Sequence, residues 1–104
     1  LDLQQYLDGG PFERVGFVMK DGEVIEAENV CADPRNGAEI KGEDLLKYMP
    51  DAVATFHTHP GTSKVLTRDD YHGFLNWPNH AHYIIGIDGI AKYIVVDGEV
   101  VIES

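Results

Sequence analysis

Cysteine is nearly absent: Cys31 is the only one in 104 residues. No disulfide can therefore form within the chain, and no cysteine-based zinc knuckle can be built. An intracellular, cytoplasmic setting is the resulting expectation. Long apolar runs are missing too, since no stretch approaches the ~20 residues that a membrane-spanning helix needs. No basic, apolar leader with a small-residue cleavage site argues for export. Positive charge is scarce: 8 Lys and Arg stand against 18 Asp and Glu, a formal net charge of −10. That balance repels phosphate backbones and anionic membranes, so neither nucleic acid nor membrane is an expected partner. A partner with a basic patch is easier to accommodate. Repeats and low-complexity tracts are absent as well. What remains is 43% hydrophobic and 25% charged, the composition of a soluble globular domain. Residues 1–104 are read as one small domain with a single core, either alone or as part of a longer chain.

Turn residues divide the chain into short elements. Leu3, Tyr6 and Leu7 fall at helical spacing in Leu1–Asp8, ended by Gly9-Gly10-Pro11. Phe12–Lys20 and Glu23–Val30 read as strands of a hairpin around Asp21-Gly22. A loop, Ala32–Gly37, precedes a helix over Gly42–Met49 that Pro50 stops. Ala52–Phe56 reads as a buried strand running into His57-Thr58-His59-Pro60-Gly61. A second helix spans about Arg68 to Leu75. Strands Tyr83–Ile87, Ile90–Val96 and Glu99–Ile102 then form a meander through Asp88-Gly89 and Asp97-Gly98. The sum is an α+β fold, a mostly antiparallel sheet with two or three helices beside it.

The chemistry-bearing signal is His57-Thr-His59-Pro60. In an extended segment residues i and i+2 share a side, so both imidazoles can reach one cation. Pro60 and Gly61 end the strand and are expected to leave the pair at a sheet edge, open to substrate. Asp70 follows eleven residues after His59, and a carboxylate as third ligand with water in the fourth position is the catalytic arrangement for zinc. Asp69 serves equally on spacing alone. Thr67-Arg-Asp-Asp70 also fits a capping box, with Thr67 as N-cap. Glu13 shares the face of Val15, Phe17 and Met19 if its strand is regular. There it is either a general base beside an activated water or a solvated strand-end residue. His80-Ala-His82 reads as a polar strand end without a ligand role, His72 as a surface residue, Trp77 as packing, and Cys31 as a small buried side chain.

Together, Glu13-Arg-Val-Gly16, His57-Thr-His59-Pro60 and Thr67-Arg-Asp-Asp70 resemble the JAMM signature of the JAB/MPN metalloproteases, across residues 11 to 103. The compact length and the Ala32-Asp-Pro-Arg…Ile40…Glu43-Asp44 stretch look more like the prokaryotic branch, which includes domains of phage tail-assembly proteins. The resemblance implies a curved, mostly antiparallel sheet flanked by helices, with cytidine-deaminase-like layering. It implies one Zn²⁺ ion held by His57, His59 and Asp70 with water as the fourth ligand. Glu13 would then be the general base, and Thr67 would stand where the family has an oxyanion-holding serine. Threonine keeps that hydroxyl but adds a methyl and a stiffer χ1. The implied activity is hydrolysis of a peptide or isopeptide bond in a protein or peptide substrate. The alternative is a non-catalytic, metal-stabilised binding or assembly module, such as a phage-tail component.

Overall fold

The computed structural model describes residues 2–103, an α+β fold in which a six-stranded, mostly antiparallel sheet carries two helices. Strands β1 (Val15–Met19) and β2 (Val24–Ala27) make the hairpin around Asp21-Gly22. Helix α1 (Gly42–Tyr48) gives way at Pro50 to a 3-10 turn, Met49–Asp51. Strand β3 (Ala52–Thr58) leads into α2 (Arg68–Leu75), and β4 (Ala81–Gly86), β5 (Gly89–Val96) and β6 (Glu99–Glu103) follow. The spatial order is β2-β1-β3-β4-β5-β6. All neighbours are antiparallel except β3 and β4. A parallel pair needs a crossover, and α2 lies within it.

The two faces of the sheet are covered differently. On one, Phe17 packs with Met49 and Leu45 at the α1 end, while Phe74 of α2 packs with Ile84, Ala91 and Tyr93. On the other, Val18, Ala54, Phe56 and Ile85 are closed over by Leu3, Tyr6 and Leu7. Phe17 and Phe56 are both fully buried, and burying a side chain of that size contributes ~1.5–3 kcal/mol.

Four expectations are corrected. The opening helix is only a 3-10 turn, Gln4–Tyr6, with Leu1 outside the described residues. So short a segment cannot repay helix nucleation before Gly9-Gly10-Pro11 cuts it. The hairpin strands are shorter than 12–20 and 23–30, because β1 starts at Val15 and β2 ends at Ala27. His57 and His59 do not sit at a sheet edge but at the C-terminal end of an inner strand, flanked by β1 and β4. There they meet the crossover, where the strand order of open sheets leaves a crevice. Among the described residues no helix is long and apolar enough to cross a membrane.

The fourth correction concerns His82, which belongs to the core rather than to a polar strand end. It is 1% exposed, and its ring stacks on Phe74 at 4.3 Å between centroids and 5° between planes. Nε2–H donates to the Trp77 carbonyl (3.1 Å), leaving Nδ1 to accept from the Thr55 hydroxyl (2.7 Å). Burial pushes the His82 pKa down from 6.5 to about 4, helped by the nearby His80 and His57 and opposed by the Trp77 carbonyl. The unfolded chain thus binds a proton that the folded chain refuses between those two values. Stability should be full above about pH 6.5 and fall as the pH drops toward 4, by about 3 kcal/mol from this residue. Denaturant melts at pH 7 and pH 4.5 should show this loss in the wild type and a much smaller one in His82→Gln. Equal losses in the two proteins would contradict the assignment.

Candidate metal centre

The register between β1 and β3 brings the site together. Val15 lies opposite His57 and Gly16 opposite Phe56. Past the last regular pair the Thr58 N–H donates to the Arg14 carbonyl (2.9 Å), and the Arg14 N–H donates to Thr58 Oγ1 (2.9 Å). Carried one residue further, the same register sets Glu13 across from His59. Paired residues share a face and successive ones alternate, so Glu13, Val15, His57 and His59 all belong to the helix-bearing side. Glu13 precedes the regular strand but is fixed all the same. Its N–H donates to the Pro34 carbonyl (2.7 Å) and its carbonyl accepts from Asn29 Nδ2 (2.9 Å). At 7% exposure it is a buried carboxylate, not a solvated strand end.

Ligand atoms of Glu13, His57 and His59 lie within 4.8 Å of one another, a cluster able to hold a metal ion. Asp70 reaches the same histidines from the first turn of α2. Its Oδ1 is 2.9 Å from His57 Nε2 and its Oδ2 is 3.1 Å from His59 Nε2. The expected capping box aims it there. Thr67 Oγ1 accepts from the Asp70 N–H (3.2 Å), and Asp70 Oδ2 accepts from the Thr67 N–H (3.0 Å). Asp69 is exposed, and Asp70 is the residue paired with the histidines.

His59 is held from behind as well. Its Nδ1–H donates to the Ser63 carbonyl (2.8 Å), which turns Nε2 toward the cluster. The loop carrying Ser63 is itself pinned. Asp88 accepts from the Ser63 hydroxyl (2.7 Å) and the Lys64 N–H (2.8 Å), and the Tyr93 hydroxyl donates to the Lys64 carbonyl (3.0 Å). Gly86 lets this loop press against β4, because a Cβ there would collide with the backbone of Thr62, Ser63 and Lys64.

The electrostatics follow from burial and neighbours. Burial pushes the Glu13 carboxyl up, with Asp70 and Asp33 adding to it and the two histidines opposing. Burial also works against ionisation of Asp70, but the close His57 ring, with hydrogen bonding from His59 and the Thr67 N–H, outweighs it and holds the carboxyl well below the usual range. For His59, burial disfavours the proton, and Asp70 with the Ser63 carbonyl more than restores it, so its pKa is raised.

Two imidazoles and a carboxylate are an N/O donor set that accepts zinc and other first-row divalent ions. His57 Nε2 is buried and, despite its nearness to Asp70, has no aligned hydrogen-bond partner. A cation held by this cluster would give that orphaned atom a partner. In a tetrahedral site with bonds of ~2.0–2.1 Å, donor atoms stand about 3.3 Å apart. The 2.9 and 3.1 Å separations here need only a slight opening. The residues fit the ion. A cleft of about 350 Å³ opens onto this cluster, lined among others by Glu13, His59, Thr67, Ser63 and Arg35.

Sequence reasoning missed the supporting residues. Asp88 reads as half of a turn pair and Asn29 as part of the strand Glu23–Val30, and only the distant partners they hold reveal otherwise. His72 is exposed, Trp77 packs into the core, and Cys31 is partly exposed rather than buried.

Titration of the metal-free protein with Zn²⁺ should give one tight site, abolished in His59→Ala. Asp88→Ala should weaken that site by about 10–100-fold while leaving the fold intact by circular dichroism. An unchanged affinity in Asp88→Ala would remove its role in fixing His59. No family model matches the chain, and no curated protein matches it either.

Proposed function

We propose that this chain is a metal-dependent hydrolase of peptide or isopeptide bonds, of the JAB/MPN type, with zinc as its ion. The observation that carries the reading is the convergence of Glu13, His57, His59 and Asp70 at one end of β3, beside an open cleft. His57, His59 and Asp70 would hold the ion. The chemistry it supplies is Lewis acidity, which brings the pKa of a coordinated water toward ~7 and polarises a carbonyl.

The chain's own residues do the rest. Glu13, buried and raised in pKa, takes a proton from water and returns it to the leaving amine, as a base tuned toward neutrality can. Thr67 spends its oxygen lone pair on the Asp70 N–H, and its hydroxyl hydrogen stays free to donate to a developing oxyanion. The −10 charge favours a protein or peptide substrate with a basic patch.

The test pairs activity with metal content. A panel of fluorogenic peptide and isopeptide substrates is offered to zinc-loaded wild type and to Glu13→Gln. The expected result is hydrolysis by the wild type, at least ~10²-fold slower in Glu13→Gln, with one zinc per chain in both. Loss of zinc together with activity would make Glu13 a ligand instead of the base. A zinc-loaded wild type that cuts nothing, and only melts higher with metal, would point to the assembly module.

A further inference from the structure

The cleft at the metal centre adjoins a second cavity of about 680 Å³, and the two share Arg35, Asn36 and Pro60 in their walls. Arg35 is the one lysine or arginine lining either of them. Among the described residues it has no ion-pair partner, whereas Arg14 is held by both Asp8 (3.0 Å) and Glu26 (2.6 Å). Its guanidinium instead lies over the exposed Phe12 ring, 5.6 Å from the centroid.

The loop presenting Arg35 is fastened to Glu13, just ahead of β1. Asn29 uses its whole amide for this. Nδ2 donates to the Glu13 and Gly37 carbonyls (2.9 and 3.0 Å), and Oδ1 accepts from the Cys31 and Glu39 N–H groups (3.0 and 3.1 Å). The Pro34 carbonyl, next to Arg35, accepts from the Glu13 N–H. A cation is therefore carried to the cleft on a loop tied directly to Glu13, in a protein with a formal charge of −10.

A planar guanidinium with a free fork suits a carboxylate, which it grips through two parallel N–H···O bonds. The Glu13 carboxylate in the same cleft makes a singly charged anion easier to admit than a phosphate. We propose that Arg35 is the carboxylate-binding residue of this cleft, so that the peptide taken there carries a carboxylate beside the bond presented to the metal centre. That group is either the free chain terminus or an acidic side chain. The proposal rests on the hydrolase reading for the peptide nature of the ligand, and it is local. An acidic group enters at Arg35 even where the wider acidic surface favours a basic partner.

Binding and cleavage are measured separately on the zinc-loaded protein. Four versions of one alanine-based hexapeptide serve as probes: free C-terminus, C-terminal amide, amide with one internal glutamate, and amide with glutamine in its place. Dissociation constants come from ¹H–¹⁵N spectra, including the Arg35 side-chain Nε–H, and cleavage comes from mass spectrometry. In the wild type, at least one carboxylate-bearing peptide should bind about tenfold more tightly than its neutral counterpart. Which of the two does so identifies the source. That preference should vanish in Arg35→Ala and return in part in Arg35→Lys, with unchanged melting temperatures since the side chain is exposed. Equal binding of all four peptides, no binding by any, or a preference that survives Arg35→Ala would overturn the proposal. Arg35-dependent binding without cleavage would leave it standing and remove the hydrolase reading. Cleavage indifferent to the carboxylate and to Arg35 would do the reverse.

Discussion

The register of β1 against β3 decides which side chains meet, because a slip of one residue would send Glu13 and both histidines to opposite faces of the sheet. Val15 opposite His57 sets it, and the reciprocal bonds between Arg14 and Thr58 carry it past the end of the regular ladder. Thr58, between the two histidines, is 1% exposed and lends its hydroxyl to the Arg14 N–H. The middle residue of the His-Thr-His triplet is thus part of the hinge on which the cluster depends. The cores on either side of the sheet make the register hard to change, since Phe17 and Phe56 are buried on opposite faces.

Burying Glu13 and Asp70 near each other is costly unless positive charge compensates. The two histidines supply part of that compensation, and hydrogen bonds hold the side chains in place. Asp70 is steered by the Thr67 cap and His59 by the Ser63 carbonyl, and Asp88 fixes the loop between them. A divalent cation at the shared focus, as proposed above, would resolve the remaining conflict, giving the unpaired His57 Nε2 a partner and the carboxylates a counter-charge. Support of this kind around ligand side chains is what keeps a metal site precise.

Much of this was legible along the chain. The bounds of α2 follow from Thr67 as N-cap and Pro78 beyond the end, signals that are local and chemically specific. The hairpin and the closing strands were legible from their Asp-Gly turns. The opening helix was not, because helical spacing over eight residues says nothing about whether nucleation is repaid. His82 looked polar because an HxH pair at a strand end reads that way. Its stack on Phe74 depends on where α2 lands. The parallel pairing of β3 with β4, which puts the histidines inside the sheet, is likewise a consequence of the crossover. The candidate ligands His57 and His59 stood out from their spacing, with Asp70 and Asp69 equal on that ground, while Asn29 and Asp88 did not, since their work is done on partners far away in sequence.

The proposed centre is a single cation held by two imidazoles and a carboxylate at the end of β3. X-ray absorption at the zinc edge of the protein loaded with one equivalent tests it most directly. The account predicts a four-coordinate shell of nitrogen and oxygen at ~2.0–2.1 Å, with outer-shell scattering from two imidazoles that falls to one in His57→Ala. A shell of oxygen alone, unchanged in His57→Ala, would place the ion on the acidic surface and contradict the account.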